Sequence, residues 1–244
     1  TGKTRVKELR VIIKKSEKVT GLTRLKKDIV CGIGIVRKTL LQDIILLPFH
    51  SFFFKLEVIN KNNIKKIEGP GIIIFNHLGL MDGICCIRAL SHEQRKKTAV
   101  AVTADFWRGK NQWLSSLMEL GVTAIPIYYD AAKAKNAFDS FSYLFDKEWL
   151  VIISPEGELE RSGKLSKFNN GVAYLATTFN IPIYPMKIAE NYHELYPPPE
   201  VDVIKAPVTD MIPRKRGKTS ITIGDKLYLK QDKSLDESTE YLFN

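Results

Sequence analysis

Three short runs of purely apolar residues constrain this chain more than any other feature. Residues 72–75 read Ile-Ile-Ile-Phe, residues 99–102, within an expected strand over 97–104, read Ala-Val-Ala-Val, and residues 149–153 read Trp-Leu-Val-Ile-Ile. Each has the length of a strand and lacks a polar side, so each needs cover on both faces. Longer segments with helical patterning lie between and after them, at 83–90, 112–120, 131–145 and 171–179, and a last helix opens in "LDESTEYLFN". Further strands are expected at 52–59, 122–128 (irregular, because of Pro126), 183–188, 200–204 and 220–223, with a turn at 60–63. This alternation predicts an α/β domain over residues 51–244, built on a mostly parallel central sheet covered by helices.

The charge lies ahead of that domain. Residues 1–40 carry 12 Lys/Arg against 3 Asp/Glu, whereas the other 204 residues carry 25 against 24. Such a basic arm can meet anionic lipid at about 1 kcal/mol per basic residue, meet nucleic acid, or serve as a solvated linker. No aromatic residues are interleaved with its charges, which argues against nucleic acid. Residues 29–55 are the most apolar stretch, but Arg37-Lys38, Asp43 and Pro48 interrupt it. A membrane crossing needs about 20 apolar residues in a row. Residues 11–50 therefore read as a basic, amphipathic helical region that lies on a membrane surface or packs on the domain's own core. The three cysteines, two of them adjacent (Cys85, Cys86), give no disulfide framework and no metal spacing, which fits a reducing, cytoplasmic setting. The chain starts without Met and without a signal peptide, as a piece of a longer protein would.

In parallel sheets, ligands bind beyond the carboxyl ends of strands. Two such ends carry chemistry here. Asn76-His77 follow the run at 72–75, with Asp82 five residues past the histidine, and Ser154-Pro155-Glu156-Gly157 follow the run at 149–153. A histidine takes and returns a proton near neutral pH, and a carboxylate can orient its ring and stabilise the imidazolium. On one straight helix five residues are separated by about 140°, so a pair forms only if His77 lies in the strand-to-helix turn and Asp82 in the first helical turn. Asp82 equally suits a helix N-cap, and His77 an exposed turn. Gly157 lets a substrate approach closely. Cys85 and Cys86 read as core residues. His50 and His92 have no partner at useful spacing.

The order of these blocks changes their weight. Asn76-His77 with Asp82, then Pro155-Glu156-Gly157, then Gly163, Leu165, Phe168 and Gly171, then "IPIYPM" at 181–186, resembles the glycerolipid acyltransferase family, whose members include lysophosphatidic acid acyltransferases. That family reads Asn-His-x-x-x-x-Asp, then Phe-Pro-Glu-Gly-Thr-Arg-Ser, Gly-x-Leu and Phe-Lys-x-Gly, then a Val-Pro-Ile-x-Pro segment. The resemblance runs from about residue 52 to 229. It implies direct acyl transfer without an acyl-enzyme: His77 deprotonates an acceptor hydroxyl, Asp82 supports His77, and the oxygen attacks a thioester of acyl-CoA or acyl carrier protein. It implies an acceptor of lysophospholipid type, contact with the inner face of a membrane from its periphery, and neither metal nor cofactor beyond the acyl donor. Asn76, Gly79, Glu156 and Gly157 fall at its substrate-binding positions, and Arg161 lies two residues past one of them as a further candidate. Some aromatics at 52–54, 128–129 and 174, otherwise core, could then line an acyl tunnel.

The chain also departs from that pattern. Gly79 stands where the family often has Ser or Thr. The two arginines expected at an acceptor phosphate fall on Leu159 and Ile127, with Glu158 and Glu160 nearby. Arg161 is the nearest substitute; Arg108, Lys110 and Lys164 are others. These departures motivate a second expectation, a lipid-binding or scaffold domain with weakened turnover. The opening "TGKTRVKELR" resembles the C-terminal signature of adenylate-forming acyl ligases, which implies a ligase remnant over residues 1–10, with Lys3 at that family's acyl-adenylate contact, and a ligase–acyltransferase fusion as parent.

Overall fold

The structure is a computed structural model and describes residues 39–103, 121–127, 131–159, 162, 164–197 and 212–243. The expected ligase remnant, most of the basic region, the helix at 112–120, the strand at 200–204, and Arg108, Lys110, Tyr128, Tyr129, Glu160, Arg161 and Gly163 lie outside the described residues. Along the chain come α1 (Leu47–Phe53), β1 (Phe54–Ile59), β2 (Gly71–Phe75), α2 (Asp82–Ala89), α3 (His92–Lys96), β3 (Thr98–Thr103), β4 (Thr123–Ile127), α4 (Ala131–Asp146), β5 (Leu150–Ile153), α5 (Gly171–Phe179), β6 (Ile183–Ile188), α6 (Asn191–Leu195), β7 (Gly217–Ile223) and α7 (Leu235–Phe243). The described strands form one seven-stranded sheet in the order β1-β7-β6-β2-β5-β3-β4. Five of its six pairings are parallel; only β6 with β7 is antiparallel.

The apolar runs fold as their two-sided character requires. In β2, Ile73 and Phe75 pack on one face with Ile152, Met186 and the α2 residues Ile84 and Cys85. Ile72 and Ile74 point to the other face, against Val151, Phe141 and Phe145 of α4, and Val172 and Leu175 of α5. One strand thus feeds two cores, which is the physical content of an unbroken apolar run in a parallel sheet. Because β2 lies between β6 and β5, all three end at the same edge.

Local expectations shift in four places. The first strand starts at Phe54 instead of residue 52, because a helical segment from residue 39 runs through Phe53, π-helical over Gln42–Leu46. The turn at 60–63 is a 3₁₀ helix, Lys61–Lys66, entered through a left-handed Asn60. The strand around Pro126 is regular; it is an edge strand, where a missing N–H is tolerated. Helix α3 was legible but not anticipated: Ser91 and Gln94 form a capping box, with the Gln94 side chain accepting from Ser91 N at 2.9 Å.

His50 and His92 do have partners, supplied by distant segments. His92 Nδ1 lies 3.2 Å from Asp43 Oδ2, and Arg95 donates to Asp43 Oδ1 at 2.8 Å. His50 is fully buried; its Nδ1 accepts from Arg88 Nη1 at 3.1 Å, and Arg88 also donates to Phe54 O at 2.6 Å. These bonds fasten one side of the segment at 39–53 to the domain. Its other side exposes Leu40, Ile44, Ile45, Phe49 and Phe52. Phe52 is thus not core; the Arg216 guanidinium sits 3.4 Å above its ring.

Burial, and secondly the Arg88 charge, lowers the His50 pKa from 6.5 to about 3. Above pH 6.5 both folded and unfolded states hold a neutral ring. Below it the unfolded chain binds a proton that the fold refuses, so stability falls as pH drops towards 3. His50→Gln should therefore flatten the pH dependence. By urea unfolding at pH 6.5 and 4.5, the wild type is expected to lose about 2 kcal/mol more than the variant, and equal losses would contradict the buried neutral His50.

Candidate active site

Strand β2 ends at Phe75, and the chain turns through Asn76-His77 into α2. Asn76 fixes the turn by a two-point clamp to the end of β6: its amide donates to Ile188 O at 3.0 Å, and its carbonyl accepts from Ile188 N at 2.7 Å. Asp82 is the first residue of α2, and Met81 before it makes no side-chain cap. The Asp82 carboxylate does not cap its own helix. It reaches backwards, and Oδ2 accepts from Leu78 N at 2.6 Å and Gly79 N at 2.8 Å. The same oxygen lies 2.9 Å from His77 Nδ1. The turn brings together a pair that a straight helix would hold apart.

The two partners sit in different surroundings. The Asp82 side chain is 1% exposed and that of His77 26%. Full burial pushes the Asp82 carboxyl above the usual carboxylate range, and the contacts with His77, Gly79 and Leu78 pull against that shift. A carboxylate that already accepts two backbone N–H groups is suited to accept a third donor, His77 Nδ1–H. That fixes the tautomer and leaves Nε2 with its lone pair.

The second strand end meets the first. Glu156, buried after β5, accepts the backbone N–H of His77 through Oε1 at 2.7 Å. Its Oε2 accepts from Ser166 N at 2.9 Å and Ser166 Oγ at 2.8 Å. Both carboxylate oxygens, expected at a substrate contact, are thus engaged within the protein and hold the histidine turn to the β5 loop. Asn169 completes the clasp: its amide donates to Glu156 O at 2.7 Å, and its N–H to Pro155 O at 2.8 Å. Ser166 and Asn169 carry no signal in the motif, since their roles depend on a loop folding back ten or more residues. Gly157 sits at φ 78°, and a Cβ there would lie 2.7 Å from Asn169 Nδ2. Its requirement is backbone geometry. Gly79 is also closely packed: a Cβ would be 3.2 Å from Tyr192 Cε1 and from Tyr196 Cδ1. Tyr192 and Tyr196 went unmarked in the sequence, and both are buried behind the dyad.

Cys85 and Cys86 are fully buried, and burial pushes both thiols up, so they are core rather than nucleophiles. Gly157→Ala should force a left-handed alanine and displace Asn169. A stability loss of about 1–3 kcal/mol is expected by chemical denaturation, and an unchanged midpoint would refute the clasp.

Comparison with known proteins bears on this geometry. A family profile described as Acyltransferase matches residues 55–189. Among solved structures, the crystal structure of the 1-acyl-sn-glycerophosphate (LPA) acyltransferase PlsC from Thermotoga maritima is similar, with a TM-score of 0.58 and 18% identity over 96% of this chain and 83% of that one. At that identity the likeness speaks for the α/β fold. A search of curated proteins returns no match. The profile spans more than half of the chain and contains both strand exits, so the chain belongs to the acyltransferase family.

Proposed function

We propose that the chain moves a fatty acyl group from a thioester, acyl-CoA or acyl carrier protein, to the hydroxyl of a lysophospholipid-type acceptor at a membrane surface. The observation that carries this reading is the His77–Asp82 contact of 2.9 Å at the exit of a central strand. His77 Nε2 takes the acceptor's proton as its oxygen attacks the thioester carbonyl. The C–S bond breaks, and the departing thiolate receives a proton from the imidazolium. Asp82 stabilises that cation and keeps the ring in line. The thioester is already activated, so a base and correct placement suffice. Glu156 contributes by fixing the His77 backbone. The acceptor class is inferred by likeness to the Thermotoga protein, a 1-acyl-sn-glycerophosphate acyltransferase. With Leu159 and Ile127 at the expected arginine positions, an acceptor phosphate would rely on other cations, among which Lys164 is exposed.

The exposed stripe Leu40, Ile44, Ile45, Phe49 and Phe52 supports membrane contact, as does the adjacent Arg216 on Phe52. Among the described residues no helix is long and apolar enough to cross a membrane. The test is product analysis on mixed vesicles, with a lysolipid panel and both thioester donors. His77→Ala should lower transfer by about 10³-fold while leaving vesicle binding intact, whereas replacing Phe49 and Phe52 with Ser should weaken vesicle binding. Undiminished transfer by His77→Ala would overturn the reading, and lysolipid binding without turnover by the wild type would favour a scaffold role.

A further inference from the structure

The catalytic pair has a back side that the proposed reaction leaves unexplained. All three close contacts of the Asp82 carboxylate use Oδ2. Its other oxygen, Oδ1, is buried and receives no hydrogen bond from the described residues. Two more buried polar atoms in this region share that condition, Tyr192 Oη and His50 Nε2. They belong to one packed group. The His50 and Tyr192 rings stack with centroids 6.5 Å apart and an interplanar angle of 19°. Phe54 touches both, at 5.0 Å from His50 and 4.9 Å from Tyr192. The edge of the Tyr192 ring lies against Gly79, whose N–H also holds Asp82.

The chemistry of the three atoms is complementary. Asp82 Oδ1 can only accept while ionised. His50 Nδ1 accepts from Arg88, so the neutral ring carries its proton on Nε2 and donates there. The Tyr192 phenol is pushed well above its usual range by burial first and then by the Asp82 charge, so it keeps its proton and donates. Buried polar groups left unmatched are costly, and one acceptor with two donors is a set that a single buried water can match.

We propose that Tyr192 is a positioning residue of the dyad, its hydroxyl serving Asp82 Oδ1 through one buried water shared with His50 Nε2. The inference rests on the reading of His77 and Asp82 as the catalytic pair. With both oxygens engaged, the carboxylate plane cannot turn, and Oδ2 stays on His77 Nδ1. The departure at Gly79 then gains a reason. A Ser or Thr two residues after the histidine would place its Cβ 3.2 Å from Tyr192 Cε1, tight against the edge of the ring.

The test needs no substrate, so it stands apart from the acyl-transfer reading. Tyr192→Phe removes one oxygen. If the hydroxyl serves Asp82, the melting temperature should fall by about 4 °C in the wild-type background but hardly at all in Asp82→Asn. The low-field proton resonance of His77 Nδ1–H should shift in Tyr192→Phe as well. If the hydroxyl is merely buried, its removal should leave stability unchanged or improved. That result, or an equal fall in both backgrounds, would overturn the proposal. Should Tyr192→Phe not fold, 3-fluorotyrosine at position 192 keeps ring and hydroxyl, and an unmoved His77 resonance there would also overturn it. Where transfer is measurable, Tyr192→Phe should lower kcat about tenfold with KM within about twofold, because positioning acts on the reacting base and not on binding.

Discussion

The bond from His77 N–H to Glu156 Oε1, 2.7 Å long, is the joint on which the site depends. Two strand exits 79 residues apart in sequence would otherwise be neighbours with no fixed relation. The sheet brings them side by side, since β2 pairs with β5 from Gly71 with Leu150 to Ile74 with Ile153. Register alone leaves the turns beyond the strands undetermined. Glu156 removes that freedom, and Ser166 and Asn169 remove its own. A buried carboxylate with all its bonds made is stabilising, whereas one missing a partner would be costly. The loop is therefore held in one arrangement.

Around that joint the pair is built asymmetrically. Asp82 is sealed beneath the turn, and His77 stands partly open above it. Burial raises the cost of the carboxylate charge, and donors from Leu78, Gly79 and His77 offset it. An imidazolium formed beside this carboxylate is stabilised in a low-dielectric setting, where the attraction exceeds that in water. Asn76 ties the same turn to β6, so three adjacent strands share in placing one imidazole.

Much of this was legible in the sequence, and the limits follow a pattern. The two-sided apolar runs gave β2 and β5, and α5 and β6 start and stop where expected, because their signals are local. His77 and Asp82 could be paired from spacing, since only five residues and one turn separate them. The acyltransferase likeness came from ordered short blocks, which the family profile over residues 55–189 matches. What remained hidden was long-range. Nothing local reveals that the oxygens of Glu156 meet His77 N and Ser166. His50 looked isolated because Arg88 is 38 residues away. Phe52 looked buried because an aromatic run does not say where a helix ends and a strand begins.

In the proposed reaction a base activates the acceptor directly, without an acyl-enzyme. Initial-velocity kinetics over a grid of acyl donor and lysolipid concentrations tests it most directly. Direct transfer requires both substrates on the protein at once and predicts intersecting double-reciprocal lines. Parallel lines, with an acyl group accumulating on the protein in the absence of acceptor, would contradict it.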